Sequence, residues 1–122
     1  MKLHRTNSNG NYLITGDDQG WVEINRQRYS NSLILLPNQL IENWHVLSFD
    51  RIQADDFEKI AELKPDVILL GTGASHKFIH PNLTVSLSRV GISLECMSTD
   101  AACRTYNILM SEGRNVMAAL IL

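Results

Sequence analysis

This chain of 122 residues has no apolar run longer than seven residues, no Cys-x-x-Cys pair and no excess of basic residues. Each absence removes a class of function. The longest apolar run, Val116 to Leu122, falls well short of the ~20 residues needed to cross a bilayer, so membrane insertion is not expected. Met1 to Gly10 lacks the apolar core of a signal peptide. The formal charge of -2 divides into 6 basic and 8 acidic residues over 1–61, and 5 of each over 62–122. Nucleic-acid binding rests on clustered Lys and Arg that neutralise phosphates, and neither half provides them, so nucleic acid is not expected as a partner. The two cysteines, Cys96 and Cys103, fall at the end of an expected strand and inside an expected helix. With no secretory signal, they read as buried reduced thiols rather than a disulfide or redox couple, which fits a cytoplasmic chain.

Catalytic and metal motifs are missing as well. His76 and His80 stand four residues apart, but Pro81 follows at once and no glutamate lies between them, so no zinc-protease helix and no metal site is expected. Ser75 directly precedes His76, and neighbours in sequence do not face each other as nucleophile and base; no Gly-x-Ser-x-Gly elbow occurs. Asp55 and Asp56 are adjacent, so their carboxylates point apart and read as a helix start rather than a catalytic dyad. Cys103 lies in a helix interior, away from the N-terminal field that generates a thiolate. No catalytic residue is therefore assigned.

What is present is a fold pattern. With hydrophobic residues at 44% and charged residues at 20%, one domain over residues 1–122 can bury roughly two-thirds of its unfolded surface. The first third is turn-rich: Asn9-Gly10-Asn11, Thr15-Gly16-Asp17-Asp18 and Gln19-Gly20 punctuate the short segments Tyr12 to Ile14 and Trp21 to Ile24, the pattern of an antiparallel meander. Ser32 to Leu36 reads as a buried strand stopped by Pro37, and Trp44 to Phe49 as a weaker strand. A helix over Ala54 to Leu63, ended by Pro65, precedes the strand Val67 to Leu70. Pro81 opens a second helix carrying Leu83, Leu87 and Val90, with Gly91 as its left-handed stop. Ile92 to Cys96 is the next strand, Thr99 the hydroxyl cap of a last helix closed by Gly113, and Val116 to Leu122 the final strand. This rhythm predicts an α/β domain with a mixed sheet after an N-terminal β meander.

Two polar features stand out. Gly71-Thr72-Gly73 follows a strand, where close backbone amides and a hydroxyl can cradle an anion with help from His76 or Lys77; a third glycine at 76 and a Gly-Lys-Ser or Gly-Lys-Thr run are absent, so neither dinucleotide nor nucleotide cofactor is implied. On the last helix, Arg104, Asn107 and Ser111 share a face, with Thr105 beside them and Glu112 and Arg114 at the end. Arg104 suits a carboxylate or phosphate, and equally an internal pair with Glu112.

Gly71-Thr72-Gly73, the run Met97 to Asn107, Glu112-Gly113-Arg114 and the short apolar C-terminal strand together resemble domain-of-unknown-function family 498. Its members include mitochondrial complex I assembly factor three and the adipogenesis-associated domain protein. Ser32 to Pro37 matches the family's strand ending in proline. The resemblance implies a single compact three-layer α/β domain with a central mixed sheet, no established reaction, and a role in assembling a respiratory complex through a protein partner; no cofactor is expected. It also implies a shared site at Gly71, Thr72, Gly73, Arg104, Thr105 and Glu112. Lacking the Arg- and Ser-rich extension of the mitochondrial members, the chain reads as prokaryotic.

Two functions follow. The preferred one is a non-catalytic interaction or assembly domain, with self-association left open. The alternative is a small-anion or small-molecule binding domain, either a plain binder or an enzyme, using Gly71 to Gly73 with Arg104. Titration of the denatured chain with a thiol reagent is expected to report two free thiols; a non-reducing mass lower by two protons contradicts the cysteine reading.

Overall fold

A computed structural model describes residues 10–122. Residues 1–9, which hold nearly all of the segment read as lacking a signal peptide and the Asn9 part of the first turn, lie outside the described residues. Three short strands come first, β1 (Ile14–Asp18), β2 (Trp21–Ile24) and β3 (Gln27–Tyr29), paired as an antiparallel meander with a bulge between Ile14 and Gly16. The hairpin β4 (Leu33–Leu36) and β5 (Gln39–Ile41) follows, then α1 (Ala54–Ala61), β6 (Val67–Gly71), α2 (Val85–Arg89), β7 (Ser93–Met97), α3 (Thr99–Ser111) and β8 (Val116–Leu120).

The second sheet has the order β5-β4-β8-β6-β7. It is mixed: β4 is antiparallel to β5 and β8, whereas β6 is parallel to both β7 and β8. β4, β6 and β8 are continuous apolar runs, as strands covered on both faces must be. Their side chains divide by period two between two cores. Leu33, Leu35, Val67, Leu69, Val116, Ala118 and Leu120 face α3 and the meander. Ile34, Leu36, Ile68, Leu70, Met117 and Ala119 face Phe57 and Ile60 of α1 and Leu87 of α2. The result is a three-layer α/β domain with the larger sheet in the middle. Two tethers hold the meander to α3: Asn107 accepts from the Ile14 N–H at 2.9 Å and donates to the Ile14 carbonyl at 2.7 Å, and the Tyr106 hydroxyl donates to the Tyr12 carbonyl at 2.9 Å.

Several expectations need correction. Trp44 to Phe49 forms no strand. Trp44 and Val46 are buried while His45 and Leu47 are exposed, which is strand-like alternation, but the segment pairs with no neighbouring strand and ends in a 3-10 turn at Phe49–Arg51. α1 stops at Ala61 rather than Leu63, because Lys64 turns left-handed at φ 55 with its N–H on the Ala61 carbonyl. Pro81 opens a 3-10 turn, Pro81–Leu83, before the five residues of α2, and Val90 lies beyond that helix; Gly91 is left-handed, as expected, at φ 75. Thr99 is the first residue of α3, with Ser98 at the cap position, so the Thr99 hydroxyl is free for other partners.

Phe57, on the core face of α1, is fully buried, and Phe57→Ala should lower unfolding free energy by about 3–5 kcal/mol. Tyr106→Phe should cost about 1–3 kcal/mol by orphaning the Tyr12 carbonyl. Urea denaturation of both variants checks these values.

Candidate functional site

The strand-end loop and the start of α3 meet at the carboxyl edge of the sheet. Gly71 is there because nothing larger fits: a Cβ on it lies 3.0 Å from Thr99 Oγ1, 3.1 Å from the Thr99 Cα and 3.1 Å from Leu120 Cδ2. With α3 that close, its first residue joins three chain segments. Thr99 Oγ1 accepts from the Gly73 N–H at 2.8 Å and donates to the Ile121 carbonyl at 2.7 Å, which uses its one proton. The Thr99 N–H donates to the Gly73 carbonyl at 2.9 Å, and the Ile121 N–H donates to Gly71 at 3.0 Å. Gly73, at φ 99, supplies the left-handed turn that brings its amide round to Thr99.

Thr72, 3% exposed, is bound in the same way. Its N–H donates to the Met97 carbonyl at 2.9 Å, its hydroxyl donates to the Ser75 carbonyl at 2.6 Å, and the Lys77 N–H donates to that hydroxyl at 3.2 Å. The amides of Thr72 and Gly73, which the sequence reading offers to an anion, thus already have partners within the fold.

The remaining site residues spread around α3. Arg104 is exposed and reaches back one turn to Asp100 at 3.4 Å. The Ser98 hydroxyl bond, followed by Arg104, holds the Asp100 carboxyl below its ordinary value. Thr105 is half-buried, and Glu112 is exposed just beyond the helix. Glu112 and Arg104 are not paired, and Asn107 and Ser111 serve backbone groups at Ile14 and Ile108. The loop Gly71-Thr72-Gly73 and the first turn of α3 are therefore brought together, while none of Arg104, Thr105 and Glu112 makes a hydrogen bond to that loop.

A cleft of about 570 Å³ opens beside Gly73, lined by Asp17, Asp18, Gly20, Ala74, Thr99 and Asp100 and floored by Ile121 and Leu122. Its charge is acidic. Burial raises the Asp17 carboxyl above its usual range, Asp100 adds to the rise and Arg104 opposes it. The helix N-terminus favours anions, but three carboxylates around the same space outweigh a terminus worth about half a charge.

One polar pair escaped the sequence reading. His45 Nε2 lies 2.6 Å from Asp56 Oδ1, while the other carboxylate oxygen accepts from the Gln53 N–H at 2.8 Å in a capping box. Asp56 is 5% exposed, and Asp55 beside it turns outward to Lys59 at 3.6 Å, so the two carboxylates do point apart. The two cysteines are free. Burial pushes the Cys103 thiol up to about 12 and also raises Cys96, leaving neither as a nucleophile near neutral pH. Among the described residues no cluster of three His, Cys, Asp or Glu side chains is placed to hold a metal ion.

A five-stranded mixed sheet between two helical layers, with a meander strapped over one face, defines a Mth938-like α/β domain. A solution structure from Bordetella pertussis described by that term matches with a TM-score of 0.82 at 30% identity, over 99% of this chain and 92% of that one. The chain belongs to the family described as Protein of unknown function (DUF498/DUF598), whose model matches residues 14–121. Among its relatives, NADH dehydrogenase (ubiquinone) 1 alpha subcomplex assembly factor 3 of Bos taurus is 31% identical over 121 residues, which is 98% of this chain and 65% of that protein. The chain therefore spans less than two thirds of that relative's length. The 13 kDa major membrane protein of Francisella tularensis is 30% identical over 104 residues, covering 84% of this chain and 85% of that protein. Among the described residues no helix is long and apolar enough to cross a membrane.

Thr99→Val removes the hydroxyl but keeps the shape, leaving Gly73 and Ile121 each short of a partner; a loss of about 2–4 kcal/mol is expected, against under about 1 kcal/mol for Thr99→Ser. Gly71→Ala should cost about 1–3 kcal/mol by pushing α3 off the sheet. Equilibrium urea unfolding measures all three.

Proposed function

We propose that this chain is a non-catalytic assembly-type domain that acts by contacting another protein. The observation that carries the reading is the internal use of the polar groups at its most distinctive site: Gly73 and Thr99 bond to each other, Thr99 also to Ile121, and Thr72 to Met97 and Ser75. A reacting group is positioned by donors left open to substrate, and here those donors stabilise the fold. His45 and Asp56 form a hydrogen-bonded pair, but that carboxylate also closes the capping box of α1, which accounts for its burial. Relatives named as complex I assembly factors support a role in building a respiratory complex, with a protein as partner. A prokaryotic, cytoplasmic setting belongs to the same proposal; the two unpaired cysteines fit a reducing compartment.

The anion-binding alternative at Gly71, Thr72, Gly73 and Arg104, with Thr105 and Glu112 nearby, ranks second. Its support is the cleft beside Gly73 and the free end of α3; the carboxylates of Asp17, Asp18 and Asp100 count against it.

Deleting the gene in its host and resolving membrane complexes on native gels tests the role. Incomplete NADH dehydrogenase complexes are the expected outcome, restored by the parent chain and by Arg104→Ala alike. A fully assembled complex in the deletion strain overturns the assembly reading. Rescue by the parent but not by Arg104→Ala, together with phosphate-induced shifts at Gly73 and Ala74, transfers the case to the anion site.

A further inference from the structure

β7 is the last strand on its side of the larger sheet, hydrogen-bonded only to β6. Within a strand, the N–H and C=O of one residue leave on the same side and successive residues alternate. The Ser93 N–H points to the Asp66 carbonyl at 3.5 Å, and the Met97 carbonyl accepts from Thr72 at 2.9 Å, so Ser93, Glu95 and Met97 face β6. Leu94 and Cys96 consequently direct both backbone groups outward. Among the described residues, no backbone bond from a turn or loop reaches them.

The two sides of this open edge differ in chemistry. On the α1–α2 side a hollow of about 460 Å³ runs beside it, lined by Phe78, Ile79, Leu94 and Cys96 and also by His76 and Glu95, with Phe78 82% exposed. The exposed Glu95 side chain alternates with those of Leu94 and Cys96 and so rises on the α3 side, as does Met97, which packs into the core beneath α3. Asn107 ties one flank of α3 to β1, and Thr105, Ile108 and Glu112 follow at helical spacing on the other flank. Ile108 is 57% exposed. Neither Glu95 nor Glu112 has an ionic partner among the described residues.

We propose that the outer edge of β7 docks an extended, basic segment of a partner protein, which adds to the sheet by bonding to the backbone of Leu94 and Cys96. A strand placed there alternates its side chains between the two sides, so apolar residues meet Phe78 and Ile92 while lysines or arginines meet Glu95 and Glu112. Backbone pairing supplies the attachment and the charge supplies the selectivity. A second copy of this chain is the poorer occupant: the antiparallel register that pairs Leu94 with Cys96 of its twin sets Glu95 directly against Glu95. The proposal rests on the protein-contact reading and names the surface it uses.

The test is amide hydrogen exchange and chemical-shift mapping on the whole chain with acetylated Val-Lys-Val-Lys-Val-Lys, and with Val-Glu-Val-Glu-Val-Glu as the acidic control. The basic peptide should slow exchange at the Leu94 and Cys96 amides about tenfold at saturation and shift Phe78 and Glu95; the acidic one should not. Glu95→Lys, at an exposed side chain, should weaken the basic peptide about tenfold and favour the acidic one. Leu94→Pro removes an outward donor without touching the β6 ladder and should abolish binding of both; if it unfolds, the charge reversal still decides. Unchanged exchange at Leu94 and Cys96, peptide shifts confined to the cleft between Asp17 and Gly73, or indifference to Glu95→Lys each overturn the proposal. So does an edge already protected in the free chain together with sedimentation as a dimer, which gives the edge to a second copy. Because the peptide reads the edge directly and the deletion strain reads complex assembly, either result can fail without the other.

Discussion

The fold depends on how closely the start of α3 approaches the end of β6. Gly71 leaves only the space of a hydrogen atom between the two, and Thr99 turns that proximity into bonds with Gly73 and Ile121. Three strands end at this point, and their loops are held by the hydroxyls of Thr72 and Thr99 and a few amides. The site is therefore tied down by internal bonds where a loop open to ligand is usually found. The same bonds fix α3, and through Asn107 and Tyr106 α3 fixes the meander.

The central strands were legible because each is an apolar run covered on both faces, and such runs carry their own boundaries. Leu33–Leu36, Val67–Gly71 and Val116–Leu120 lie within a residue or two of their expected limits. β3 and β5 were not legible: Gln27–Tyr29 and Gln39–Ile41 are three residues each and half polar, and pairing with a neighbour makes them strands. Trp44 to Phe49 failed in the opposite direction, with strand-like alternation and no partner.

At the site, the glycines of Gly71-Thr72-Gly73 were recognisable as a strand-end turn, but their purpose was hidden in Thr99, 26 residues beyond Gly73. Thr99 read as an ordinary helix cap, because a hydroxyl at a helix start signals its position and not its partner. His45 and Asp56, 11 residues apart, carry no spacing signal, since the loop between them has no periodic geometry. The polar stripe of α3 was real as a stripe, yet Asn107, Ser111 and Arg104 bind the meander, the helix itself and Asp100. Polar residues on one helix face show that something needs them, and here that something is largely the protein's own backbone.

β8 lies between β4 and β6 and joins the two halves of the sheet, although it follows every other strand in sequence. During synthesis the β4–β5 hairpin and the β6–β7 pair can form early, but each exposes an apolar edge that has no neighbour until Val116–Leu120 leaves the ribosome. Folding of this domain is thus concluded by its last strand in a single long-range closure, and a nascent chain stalled short of β8 presents two unpaired edges to the cell's chaperones at once.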